Sequence, residues 1–357
     1  MDRAFWTIGV ATPVHAAASL ERYEQAGWDG VLLVDSQNLS GDPYVALALG
    51  AHRTTTLGLG TGVTNPYTRH PAATACSIAT VQAESGGRAV LGIGRGDSSL
   101  AHLGLAPSPL KAFEIYLRRL QGYLRGDEVP FTDSDEAGIN HVDALGLHDQ
   151  PTSSKIRWLP RKEGKVPVDV AATGPKVIAI AARHADYITL AVGANEDRLR
   201  WGMDVARTAR EAAGLDPAGI RFNAYVNVVV DDDKARAKRL VSGGLATFAR
   251  FAVMHGTPQG PASADVESVL REVHARYDMT HHTEGGSSQT DALTDEFVDS
   301  YAVIGTADRV AARLTEMFAL GLERLVIIGP SAGVDREAAS AAQRRFTAEV
   351  IPALKRQ

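Results

Sequence analysis

Eight short runs rich in Val, Ile, Leu and Gly recur along the 357 residues, with amphipathic helical stretches between them. Such alternation reads as parallel strands covered by helices. Strands are predicted at Phe5–Ala11, Gly30–Asp35, Thr56–Thr64, Arg88–Arg95, Val168–Ala172, Tyr187–Val192, Arg221–Val230 and Arg324–Gly329. Helices fit between most pairs, at Ala17–Ala26, Pro43–His52, Ala72–Glu84, Leu110–Arg125, Lys176–His184, Arg198–Ala213 and Asp308–Leu320. Eight strands in this rhythm predict an α/β fold, a closed (β/α)8 TIM barrel; an open doubly wound sheet is the alternative. Residues 1–357 fit such a barrel as one domain.

Two stretches break the rhythm. Asp127–Lys165, after strand 4, is polar and without periodicity, and reads as a long loop over one barrel end. Asp231–Tyr301 holds two or three helices and a Gly-Gly-Ser-Ser linker, and reads as an insertion between strands 7 and 8 that walls the active face. Local signals fix other boundaries: Ser85-Gly86-Gly87 suits a helix C-terminus, and Thr306 suits an N-cap.

A hydrophobic fraction of 45% with 22% charged residues supports a large buried core rather than disorder. The net charge of −5 offers no basic face, so no nucleic-acid partner is expected. No apolar run approaches the roughly 18 residues a bilayer span needs, and Met1–Pro13 carries no secretory signal, so cytoplasmic residence without membrane contact is expected. Cys76 is the only cysteine, which excludes an intrachain disulfide and any Cys-rich metal site; set among Ala and Ile, it is expected to be buried and inert.

In a barrel, residues at the C-terminal ends of the strands line one mouth, and the chemistry-bearing residues collect there. Asp35-Ser36-Gln37, Gly62-Val63-Thr64, Gly94-Arg95-Gly96-Asp97, Thr173-Gly174 and Gly193 each follow an apolar strand. Thr173-Gly174-Pro175 opens a helix, so its unpaired amides suit a phosphate, or form an ordinary strand-to-helix turn. GIGRGD is not the dinucleotide fingerprint GxGxxG, but its alternate glycines let a flat ring lie against backbone. Asp97 either handles a ligand proton or caps the next helical turn. Asp35 is a ligand contact or a structural acceptor, and Arg69 pairs with an anion or stays solvated. His281-His282 lies in a polar loop without the partners of a metal site. No Walker A motif is present, which removes support for nucleotide hydrolysis.

GLGTGVTNPYTRHPA, SGGRAVLGIGRGDS and VDVAATGPK followed by ADYITLAVGA stand in an order and spacing that resembles the bacterial luciferase-like superfamily of barrels, in particular its deazaflavin branch with methylenetetrahydromethanopterin reductase. The resemblance spans nearly the whole chain. It implies a 5-deazaflavin or flavin ring in the mouth, coenzyme F420 with FMN as alternative, supported by a bulge whose non-prolyl cis peptide maps to Gly62-Val63. It further implies that Asp35, Thr64, Gly94, Arg95, Gly96 and Asp97 approach ring or substrate, and that Thr173, Gly174 and Gly193 hold the cofactor phosphate. Relatives that oxidise a sugar phosphate carry His after the strand-2 Asp, where this chain has Ser36, and Glu where it has Asp97; that substrate is therefore not expected.

The resulting expectation is hydride transfer between F420 and a small unsaturated substrate, with Asp97 as acid or base and Ser36 and Gln37 orienting the substrate. An FMN-dependent monooxygenase and a non-catalytic flavin-binding protein are the alternatives. A homodimer is expected by analogy, with the Ala-rich helix around Ala72–Ala83 as candidate interface.

Overall fold

The computed structural model describes residues 3–133, 140–160 and 162–356. Eight parallel strands form the barrel: β1 (Ala4–Gly9), β2 (Gly30–Leu33), β3 (Gly58–Thr61), β4 (Ala89–Ile93), β5 (Val168–Ala172), β6 (Tyr187–Leu190), β7 (Arg221–Val230) and β8 (Leu322–Ile328). Each pairs with its neighbour, and β8 pairs with both β7 and β1, which closes the ring and excludes the open sheet.

The predicted helices are present as α1 (Ala16–Gln25), α2 (Pro43–Ala51), α3 (Pro71–Glu84), α4 (Leu110–Arg125), α5 (Pro175–His184), α6 (Glu196–Ala212) and, later in the chain, Ala307–Ala319. Their ends follow local chemistry. Gly86 and Gly87 take positive φ after α3, and the Thr306 side chain accepts the Arg309 amide. Among the described residues no helix is long and apolar enough to cross a membrane.

The Trp6 indole packs in the barrel interior with Leu32, Val90, Tyr225 and Val326, and glycines make room for it. A Cβ at Gly30 or Gly58 would lie 2.3 Å from the Trp6 indole, so the pleat there tolerates only glycine. Below the indole, Arg324 sits 4.0 Å over the Trp6 ring and reaches Asp169 at 3.3 Å. Thr189 and Asn223 donate to the same carboxylate, which satisfies an otherwise costly buried charge.

Chain direction sorts the two irregular stretches. Residues 127–165 follow a helix returning from the mouth, so they lie at the opposite end, where the Glu163 carbonyl accepts from Gln82 and Ser154 bonds Tyr123. They hold a two-residue ladder between Val129–Pro130 and Ser153–Ser154; residues 134–139 and 161 of this loop lie outside the described residues. Residues 231–301 follow β7 and rise over the mouth, as α7 (Lys234–Phe251), α8 (Ala264–Arg276) and α9 (Asp295–Tyr301). A short strand absent from the expectation, Ala302–Gly305, then pairs with the upper half of β7, which is ten residues long and reaches past the barrel rim.

Cys76 corrects the expectation of burial: it lies on the exposed face of α3. On neighbouring α2, Val45 and Leu49, one turn apart, are 60% and 54% exposed, so the two helices present an uncovered apolar face.

Candidate active site

A cavity of about 1110 Å³ occupies the C-terminal mouth. Of the residues singled out in the sequence, Asp35, Ser36, Gly62, Val63, Gly94 and Arg95 line it, as do Gly96, Asp97, Thr173 and Gly174. Gln37, Thr64 and Gly193 do not.

One wall is the bulge after β3. The Gly62–Val63 peptide is cis. Thr64 then rejoins β4, donating its amide to Gly92 and accepting the amide of Gly94. A Cβ at Gly92 would come within 2.0 Å of the Thr61 carbonyl, and one at Gly62 within 2.5 Å of Leu32, so the bulge needs glycine on both strands. Gly96, at φ 79°, turns the chain over Asn65 and Leu100.

Asp35 stands at the edge of this wall, 1% exposed, and serves mainly as an acceptor for side chains. Thr64 Oγ1 donates at 2.7 Å, Arg69 Nη1 at 2.8 Å and Gln37 Nε2 at 2.6 Å. Burial pushes its carboxyl above the ordinary range, against the pull of Thr64 and Arg69. This corrects two expectations. Thr64 is fully buried and cannot approach a ligand, and Gln37 points back at Asp35 rather than into the cavity. Both brace the carboxylate that holds the turn.

The opposite side begins at the N-terminus of α5. Gly174 is its N-cap, and the first helical bond runs from Ile178 to the Gly174 carbonyl, so the amides of Lys176 and Val177 have no partner within the helix. Cβ atoms built on Gly174 and on Gly329, beyond β8, meet nothing within 4 Å, and both residues line the cavity. Gly193 lies behind this wall: at φ 83° its Cβ would fall 2.6 Å from the Tyr301 ring, so it permits close packing of α9 rather than ligand contact. Beside it the buried Arg198 donates to the carbonyls of Val192, Gln259 and Pro261, clamping the 257–261 segment to the end of β6.

The roof comes from the insertion, and sequence reading missed its residues. Arg250, at the end of α7, forms a two-pronged ion pair with Asp97, with Nη2 3.0 Å from Oδ1. Asp97 stands at the N-cap position of the short helix Ser98–Ala101, but its side chain bonds no amide there; both of its oxygens belong to Arg250. The Arg250 guanidinium lies 4.7 Å over the Tyr277 ring, whose hydroxyl bonds His282 Nδ1 at 2.7 Å. His282 lines the cavity, whereas its neighbour His281 is exposed and paired with Asp278. Phe248, Phe251 and Met254 supply the apolar part of the roof.

The segment carrying His282 is stitched to the barrel. Glu284 forms a parallel bridge with Ala332, and Thr283 takes a positive φ of 67°. A Cβ at Gly243 would clash with this strap, at 2.4 Å from the Thr283 carbonyl. Ser331 straddles one turn of α7: its amide donates to Leu240 and its Oγ accepts from Gly244, the two groups an uninterrupted helix pairs with each other.

Residues 7–324 match the family described as luciferase-like monooxygenase. The chain is similar to 5,10-methylenetetrahydromethanopterin reductase of Methanolobus tindarius, 30% identical over 86% of this chain and 89% of that protein. It is also similar to the reductase of the same name from Archaeoglobus fulgidus, 30% identical over 93% of each. Among solved structures, the coenzyme F420-dependent tetrahydromethanopterin reductase of Methanopyrus kandleri superposes with a TM-score of 0.71 at 20% identity, covering 99% of both chains.

Proposed function

Because the chain belongs to the luciferase-like monooxygenase family, and its relatives of that reductase name extend over nearly its full length, we infer that it is a coenzyme F420-dependent oxidoreductase. It transfers hydride between the coenzyme and a small organic substrate. The strongest support is the match at 30% identity across 93% of the chain, since the bulge, the Gly-lined wall and the α5 turn all fall within it.

The cavity suits such a coenzyme. Gly174 and Gly329 leave open space where any side chain would project into the mouth. Val63, Gly94 and Gly96 offer a backbone wall against which a flat ring packs, with Arg95 beside them, held by the Ser108 carbonyl. Thr173, Gly174 and the amides of Lys176 and Val177 would hold the anionic tail, and the Lys176 side chain would add a positive charge there. Bound F420 supplies a ring carbon that accepts or releases hydride. The protein orients the substrate against that face and excludes water with the apolar roof of Phe248, Phe251 and Met254. Ser36 offers a hydroxyl to the substrate, while Asp97 and Arg250 form a fixed dipole at the roof edge.

The functional unit is a homodimer through α2 and α3, whose uncovered face carries Val45, Leu49 and Cys76. Its partner is otherwise a small molecule, and its compartment the cytoplasm, where that exposed thiol stays reduced.

The test is titration of the purified protein with F420 and with FMN, followed by fluorescence and by retention through a desalting column. Selective retention of F420 is expected. Selective retention of FMN replaces this reading with oxygen chemistry, and retention of neither overturns both.

A further inference from the structure

The roof contains a directed chain of hydrogen bonds that ends at the cavity. Thr247 Oγ1 donates to the Gly243 carbonyl at 3.0 Å, which consumes its only proton. Its contact with the Tyr277 hydroxyl, at 3.1 Å, must then be a donation from Tyr277. The Tyr277 proton being spent, its oxygen accepts from His282 Nδ1 at 2.7 Å. A neutral His282 is therefore protonated on Nδ1 and carries its lone pair on Nε2. Among the described residues the one hydrogen bond of the His282 ring is that of Nδ1, which leaves Nε2 without a partner on a residue that lines the cavity.

We propose that His282 Nε2 is the proton acceptor of the reaction, and that the substrate is accordingly a hydroxyl-bearing molecule oxidised to a carbonyl. The proposal rests on the F420-dependent reading. The O–H bond breaks toward Nε2, giving an imidazolium, and the carbon-bound hydrogen leaves with its electron pair for the oxidised deazaflavin. The carbonyl double bond forms from the O–H electrons, and the imidazolium proton passes to water.

Asp97 cannot fill this role where it stands, because both of its oxygens are held by Arg250. The groups facing His282 favour a neutral base. Asp97 and Arg250 neutralise one another, Tyr277 closes Nδ1, the His102 ring stands edge-on with its centroid 6.5 Å away, and Glu284 follows on the strap. Burial, with Arg250 adding to it, pushes His282 down to about 4. Tyr277 and Thr247 are positioning residues, since they act only through His282.

The first test needs no coenzyme. In protein labelled with 15N at histidine, the resonance lost in His282→Gln is expected to show the Nδ1–H tautomer at neutral pH, and Tyr277→Phe is expected to abolish that preference. An Nε2–H tautomer or an imidazolium at neutral pH overturns the proposal. The second test offers benzyl alcohol, cyclohexanol and isopropanol with oxidised F420. Turnover by the native enzyme, reduced at least about 100-fold in His282→Gln with F420 binding unchanged, is expected. Undiminished turnover in His282→Gln, or F420 binding without oxidation of any of these alcohols, overturns the proposal. Failure to bind F420 instead overturns the reading on which it rests.

Discussion

Arg69 holds Asp35 with Nη1 at 2.8 Å and Asp42 with Nη2 at 2.7 Å, so one guanidinium joins the end of β2 to the N-cap of α2. Arg69→Ala leaves Asp35 buried without its cation. The expected cost is about 3–5 kcal/mol, read as a lower urea midpoint. Asp35→Asn in the same background is expected to recover much of that loss, because the charge to be neutralised is gone. No recovery would mean that Arg69 acts mainly through its packing on the Tyr44 ring, 4.7 Å away.

Gly174 tests the cofactor wall without disturbing the core. Its φ of −92° suits any residue, and its Cβ direction is open. Gly174→Val is expected to keep the native melting temperature yet weaken F420 binding at least about tenfold, since the side chain enters the cavity. Unchanged affinity would place the coenzyme elsewhere.

His282 makes stability depend on pH in a definite direction. Its folded value, about 4, lies below that of an unfolded histidine, 6.5. As pH falls from about 7 to 4, the unfolded chain takes up a proton that the folded chain refuses. Stability therefore declines across that window, by on the order of 3 kcal/mol from this group, and levels off below it. His282→Gln removes that part of the decline. Denaturant titrations of both proteins at pH 7 and pH 4 measure it, and parallel losses would show that the imidazole does not resist protonation.

Val45 and Leu49 test the dimer. Sedimentation is expected to give a dimer for the native chain and a monomer for Val45→Lys/Leu49→Lys, with the circular dichroism of the two unchanged. Maleimide labelling of Cys76 is expected to be slower in the native protein than in the double variant. A native monomer removes the interface.

Much of the barrel was legible because its signals are local. Strand runs such as Ala89–Ile93 are apolar, Gly86 and Thr306 mark helix ends by their own chemistry, and Gly94 to Asp97 follow the end of β4 in sequence as in space. The ninth strand was missed because its four residues follow α9 directly and find a partner only where β7 overruns the rim. The roof was illegible for a different reason. Arg250 lies 153 residues from Asp97, and no local pattern distinguishes it from the other basic residues of α7. His282, adjacent to exposed His281, looked like part of a solvated loop; only the strap along Ala332 turns one ring inward and the other out. Strand ends point into the mouth, which is the signal Gln37 and Thr64 carry in sequence, yet the buried charge of Asp35 claims both.

Ser331 changes what the insertion is. Its amide and hydroxyl complete a turn of α7 from outside, so the helix carrying Thr247 and Arg250 takes part of its backbone support from the loop after β8. An appended lid moves as a body on its hinges, but α7 is braced at its middle by the loop that follows β8, the last strand of the ring that β1 closes. Substrate roof and cofactor wall thus share one frame, and the distance between them is set when the barrel closes, before any ligand arrives.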